Sequence, residues 1–164
     1  MCRRLKLPAA QKFVDAYYKA LSTQGERSTL ASFYVQPTVS NPIQADISIN
    51  GNIVATPADL QFFFQTKVQQ AHYEPQSYDC HVLNPNYNIG ASDNDLGPDA
   101  SGRKMSLLIV VSGRVRYGER SAQLRGFSEN FVLVPNFQTG IGGPGRNWSI
   151  LSQNFRIVFE PTNI

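Results

Sequence analysis

The segment Met105-Ser106-Leu107-Leu108-Ile109-Val110-Val111 is rich in β-branched residues, yet it does not alternate: both parities are apolar through its centre. A strand with one wet face alternates apolar and polar side chains, so a strand apolar on both sides belongs to a sheet covered on both faces. The same reading holds for Phe127–Val134, where Phe127, Phe131 and Leu133 share one parity and Val132 and Val134 the other. In the last strand-like segment Leu151, Phe155, Ile157 and Phe159 oppose Trp148, Ile150 and Val158. Strands are expected near His72–Leu83, Met105–Tyr117, Arg125–Val134 and Trp148–Phe159, filling the second half of the 164-residue chain.

The first half supplies the cover for one face. Phe13, Val14, Tyr17, Tyr18 and Leu21 recur at helical spacing between Pro8 and Gln24, with Gly25 as a stop. Ser28-Thr29 offers an N-cap for a short second helix through Leu30, Phe33 and Tyr34, which Pro37 ends. Asn50-Gly51 between Ile47–Ile49 and Ile53-Val54 is a two-residue hairpin signal. Thr56 then caps a third helix, with Pro57 at its first position and Leu60, Phe63, Phe64 and Val68 on one side, running to about Gln69. Helices before a run of antiparallel strands predict an α+β fold, three N-terminal helices packed on one face of a bent antiparallel sheet. No helix remains for the other face, which would expose an apolar patch of roughly several hundred Å². The cover expected there is a second protein, hence an obligate dimer through the sheet.

Trp148, Ile150, Asn154, Arg156 and Val158 fall on one parity of the last strand and are the candidate partner-interface residues. An arginine entering a largely apolar interface needs a carboxylate from the partner, because an unpaired buried charge costs several kcal/mol. Arg156 would therefore select the partner.

Composition narrows the classes. Hydrophobic residues are 41% of the chain, enough for a core. The longest uninterrupted apolar run, Leu107–Val111, is five residues, so no membrane insertion is expected. Cys2, Cys80, His72 and His81 are the whole stock of Cys and His, so neither a disulfide framework nor a metal site is expected, and no cofactor. The basic start Met1–Pro8 has no apolar region behind it, so no secretory signal is expected, and the sequon at Asn147-Trp148-Ser149 reads as accidental. Both thiols are expected free in a reducing compartment. The net charge of +3 is unevenly spread: residues 1–20 carry a net +4 and residues 103–125 a net +5. Arg3, Arg4, Lys6, Arg103, Lys104, Arg114 and Arg116 are candidate RNA or ribosome contacts through phosphate neutralisation. The whole of 1–164 reads as one domain, with a basic arm at 1–8 and a long surface loop at 84–104 rich in Asn, Asp, Gly and Pro. The glycine-rich stretch Gly140–Gly145 precedes a strand, not a helix, so it is not a dinucleotide loop.

Phe13-Val14-Asp15-Ala16-Tyr17-Tyr18, Leu30-Ala31-Ser32-Phe33-Tyr34, Gly126-Phe127-Ser128-Glu129-Asn130-Phe131-Val132-Leu133 and Trp148–Ile157 together resemble the nuclear transport factor two-like family over essentially the whole chain. Its Phe-x-Gln-x-Phe-x-Leu and Trp-x-Ile-x-x-x-x-Phe-Arg strand patterns are the more specific match. Glu129 departs from the first, since many relatives have glutamine there. The resemblance implies the family's cone: helices on a strongly bent sheet. The loop 84–104, the basic start and Tyr78-Asp79-Cys80-His81 most resemble the small subunits of fungal mRNA export receptors. That resemblance implies a non-enzymatic export factor in the nucleus and nuclear pore, shuttling to the cytoplasm. Its implied partners are the similar domain of a large export receptor, phenylalanine-glycine nucleoporins and RNA, and related complexes assist large ribosomal subunit export. It also implies that Arg156 matches the family arginine that pairs with a partner aspartate.

Two alternatives use the same fold. A homodimeric import carrier for a small GTPase would need an acidic rim around an apolar hole, and the acidic residues here cluster only at 93–99. An isomerase or dehydratase in the cone would need a base and a hydroxyl donor; Asp79 or His81 would supply the first, Tyr17 or Tyr18 the second.

Overall fold

The computed structural model describes residues 2–68, 70–91, 104–137 and 147–158, with the side chains of the first helix described from Pro8 onward. Helix α1, Cys2–Ser22, buries Ala10, Val14, Tyr17, Tyr18 and Leu21 along one side. It begins six residues before Pro8, so the basic stretch expected as an arm lies on a helix. Pro8 costs that helix one backbone hydrogen bond, because it has no N–H to donate.

A ten-residue 3-10 segment, Gln24–Phe33, follows and buries Arg27, Leu30 and Phe33. It starts before the cap expected at Ser28-Thr29. The Thr29 hydroxyl instead donates to the Glu26 carbonyl at 2.7 Å, inside the segment. The hairpin of β1 (Asp46–Ile49) and β2 (Asn52–Val54) turns at Asn50 (φ 50°) and Gly51 (φ 83°), the two positive-φ positions that make Asn-Gly the natural choice. Thr56 accepts from the Asp59 amide at 3.1 Å and Pro57 opens α2 (Pro57–Thr66), as the sequence predicts.

Four long strands follow: β3 (Ala71–Asn84), β4 (Ser106–Tyr117), β5 (Leu124–Pro135) and β6 (Trp148–Val158). The sheet order is β2-β1-β6-β5-β4-β3. All pairings are antiparallel except β1 with β6. That pairing is parallel because the chain after the 3-10 segment runs alongside β6 before β1 begins: Tyr34 bridges Ile150, and the Val35 amide donates to the Ile150 carbonyl at 3.0 Å. The bent antiparallel sheet expected from the sequence therefore contains one parallel pairing, between its second and third strands.

Opposed residues in a ladder share a face. Phe127, Glu129, Phe131 and Leu133 of β5 point to the helices and are buried, while Ser128, Asn130 and Val132 point away and are not. On β6, Phe131 faces Gln153 and Leu133 faces Ile150, so Leu151 is an extra residue at the register shift. A bulge of this kind reverses which parity points inward. The five candidate interface residues therefore do not share a face. Ile150 is fully buried under the helices, and Trp148 packs on that core while its indole N–H donates to the Met105 carbonyl at 3.0 Å. Asn154, Arg156 and Val158 lie beyond the bulge on the opposite, exposed face.

Gly113 shows how tightly the sheet is folded. A Cβ there would collide with the Glu74 carbonyl oxygen and lie 2.9 Å from the Phe127 ring. Its partner Pro75 sits beside the β3 bulge, on an edge strand where a missing N–H is tolerated.

Candidate functional site

Two regions of the fold carry polar chemistry: the outer face of the sheet and the interior of the cone. On the outer face Leu108, Val110 and Val132 form a half-buried apolar spine across β4 and β5. Small polar residues flank it, with Ser112 opposite Ser128 and Asn130 opposite Asn154. Arg156 stands opposite Ser128, and its guanidinium nitrogens lie 3.7 Å from the point where Gly51 would carry a Cβ. The β1–β2 turn is itself tied to β6, with the Asn50 amide donating to the Phe155 carbonyl and the Asn50 side chain accepting from the Ile157 amide, both at 2.8 Å. A glycine at the turn leaves room for the arginine to lie across it. Among the described residues no carboxylate is within ion-pair distance of Arg156.

The described basic residues do not gather in one place. Arg114 and Arg116 share the outer face of β4, opposite Glu74 and His72. Lys104 lies at the other end of that strand, roughly 30 Å away along the extended chain. Its ammonium donates to the Asn88 side chain at 3.2 Å, and its carbonyl accepts from the Tyr87 amide at 2.7 Å. Arg103 lies outside the described residues, and of Arg3, Arg4 and Lys6 only the helical backbone is described. Residues adjacent in sequence are thus separated by strand geometry. The start of the 84–104 loop folds back, with Tyr87–Gly90 walling a cavity of about 310 Å³ against the 34–43 segment and the ends of β5 and β6.

Inside the cone, Glu129 is buried with 1% of its surface exposed. Its Oε2 accepts from the Tyr18 hydroxyl and its Oε1 from the Gln153 amide, both at 2.5 Å. The Gln153 amide also donates to the Tyr17 hydroxyl at 2.7 Å, and the Tyr34 hydroxyl donates to the Gln153 carbonyl oxygen. Tyr17 and Tyr34 hydroxyls meet at 3.1 Å, so with Glu129 ionised every proton of this network has an acceptor. Burial pushes the Glu129 carboxyl up to about 7, while the bonds from Tyr18 and Gln153 pull it back down. Burial also raises Tyr17, Tyr18 and Tyr73 well above the usual phenol value, so they stay protonated.

The cone opens through a cavity of about 270 Å³ whose rim carries Asn50, Phe63 and Tyr117 and whose floor is Tyr17, Glu129 and Gln153. Asp79 and His81 are not part of it. Both lie on the outer face of β3, opposite Val110 and Leu108, and are exposed. The catalytic set of Asp79 or His81 with Tyr17 or Tyr18 is therefore corrected: the sheet stands between base and donor. The ionisable group that does reach the tyrosines is Glu129. Its marks in the sequence are a charged residue on the apolar parity of Phe127, Phe131 and Leu133 and the departure from the glutamine of the family's strand pattern. Among the described residues no cluster of His, Cys, Asp and Glu is placed to hold a metal.

The profile of the nuclear transport factor 2 (NTF2) domain matches residues 9–156. The chain belongs to the NTF2 family. No curated protein matches it in sequence. Among solved structures, the NTF2-family fold seen here is similar to Mtr2, at 26% identity and a TM-score of 0.73 over 93% of this chain and 99% of that one. It is similar to a chain of the Chaetomium thermophilum Mex67 NTF2-like domain complexed with Mtr2, at 28% identity and a TM-score of 0.76 over 93% and 98%. A chain from a Sac3N peptide bound to Mex67:Mtr2 superposes at a TM-score of 0.78 with 26% identity, over 93% and 99%. The resemblance read from the strand motifs is confirmed, and it extends to the Mtr2 branch of the NTF2 family.

Proposed function

We propose that this chain is the small subunit of a nuclear mRNA export heterodimer, pairing through the outer face of its sheet with the NTF2-like domain of a Mex67-type large subunit. The observation that carries the reading is the likeness to Mtr2 along almost the full length of both chains, together with a solved complex that pairs Mtr2 with such a domain. The outer face is suited to the role: an apolar spine, a margin of serines and asparagines, and on β6 the cation Arg156, which has no carboxylate partner among the described residues. Asn154, Arg156 and Val158 are its contact residues on β6. Trp148 and Ile150 act from behind, as the core that holds β6 in place.

Together the two subunits would carry messenger ribonucleoprotein through the nuclear pore by contacting phenylalanine-glycine nucleoporins, shuttling between nucleus and cytoplasm. Of the candidate RNA contacts, the exposed Arg114 and the half-buried Arg116 are the two described on the strands of the same sheet. No described helix is long and apolar enough to cross a membrane.

The test is co-expression with the Mex67-type domain followed by native mass measurement. A 1:1 complex is expected. A homodimer near twice 18.2 kDa in the presence of that domain overturns the reading in favour of the import carrier.

A further inference from the structure

The cone cavity is not needed for pairing through the opposite face of the sheet, yet it is built from an unusual inventory. Tyr17, Phe63, Phe64, Tyr73, Tyr117 and Phe155 supply six aromatic rings to its lining. The single ionisable side chain there that carries charge near neutral pH is Glu129, set at the buried floor. No Lys, Arg or His is among the described residues that line it.

The two groups that bond the Glu129 carboxyl, the Tyr18 hydroxyl and the Gln153 amide, are both neutral. From the elements packed around it, the titratable groups that face it are phenols: Tyr17 and Tyr18 of α1, Tyr34, Tyr73 of β3 and Tyr117 of β4. Arg27, the buried cation of the 3-10 segment, gives its guanidinium to the carbonyls of Leu21, Phe64 and Val68. A buried carboxylate with neutral donors only is stabilised further by a cation that comes with a ligand. Aromatic faces arranged around such a carboxylate attract the same cations through the negative potential of their rings.

We propose that the cone cavity binds a small organic cation, an alkylammonium group whose charge is taken up by the Glu129 carboxylate and the surrounding rings. The rim fits this entry, because half-exposed Phe63 and Tyr117 let an apolar body follow the charged head inward. Only the ionised carboxylate pairs with a cation, so binding expels the proton that Glu129 holds below about pH 7.

The experiment uses the full chain and two probes of the same shape, choline and the neutral 3,3-dimethylbutan-1-ol, titrated by NMR with the tyrosine ring resonances as the readout. Choline carries no titrating proton, so any pH dependence belongs to the protein. Choline is expected to shift the cavity tyrosines and to bind at least about ten-fold tighter than the neutral probe. Its affinity is expected to rise about ten-fold between pH 6 and pH 8, the factor for one proton released from a group near 7. Glu129→Gln is expected to abolish both the preference and the pH dependence. Phe63→Leu, at the half-exposed rim, keeps the core intact and should weaken choline several-fold while leaving the neutral probe unchanged. Equal binding of the two probes, unshifted tyrosines, or an unchanged preference in Glu129→Gln overturns the proposal. Pairing with the large subunit is a separate measurement and does not depend on this outcome.

Discussion

The Tyr18 hydroxyl donates to Glu129 Oε2 across 2.5 Å, joining α1 to the inner face of β5 in the middle of the core. Glu129 is the one carboxylate among the described buried residues, and its environment makes the stability of the fold depend on pH. The folded state holds its proton up to about pH 7, whereas the ordinary carboxyl value is 4.5. Between those values the folded chain binds more protons than the unfolded one, so stability falls as pH rises through the window and levels off above it. The full difference is on the order of 3 kcal/mol. Urea unfolding between pH 4.5 and 8 should show this decline, and Glu129→Gln should remove it. Tyr18→Phe deletes a bond that favours the carboxylate, so its decline should continue to higher pH than in the wild type.

Arg156→Glu should reduce affinity for the Mex67-type domain by about a hundred-fold or more, since a desolvated charge would meet a partner of the same sign. The isolated chain should keep its strand content, because Arg156 is exposed and makes no ion pair among the described residues. Circular dichroism checks the second statement and calorimetric titration the first. Near-wild-type affinity would contradict the assignment of this face.

The bulge at Leu151 makes a sharper statement about β6. Ile150→Ala should destabilise the chain by about 2–5 kcal/mol, the range for a fully buried isoleucine. Val158→Ala should change stability by less than about 0.5 kcal/mol, because half of its surface is already in water. Val158→Ala should weaken pairing instead. Equal costs in chemical denaturation would show that the two residues share a face after all.

Gly113→Ala drives a methyl group into the Glu74 carbonyl oxygen and to 2.9 Å from Pro75 Cα. Backbone cannot yield as a side-chain tip can, so β3 must move away from β4. A loss of several kcal/mol in unfolding free energy is expected, on the scale of other overpacked sites. Gly25→Ala, where the added methyl meets nothing within 4 Å, is the control and should be close to neutral.

If the basic residues on β4 contact RNA, replacing Arg114 and Arg116 by alanine should weaken RNA binding by the heterodimer. It should also lower the slope of log affinity against log salt by about 2, one unit for each phosphate no longer neutralised. Filter binding across a salt series reads both quantities.

Elements whose signals are local were legible from the residues alone. Asn50-Gly51 needs two positive-φ residues in a tight turn, and Thr56-Pro57 meets the donors at a helix start, so hairpin and α2 could be read from short windows. The long strands and the family followed from side-chain pattern in the same way. Whatever depends on register was decided by the tertiary structure. A single extra residue at Leu151 sends Ile150 into the core and Arg156 to the surface, although both have the same parity in the sequence. Alternation cannot reveal a bulge, because the signal it carries is relative and a bulge resets it. The cone likewise brought Glu129 to Tyr18, 111 residues apart, and left Asp79 and His81 behind the sheet. Such meetings depend on which face of each strand turns inward, and that is settled only when helices and sheet bury their apolar sides together.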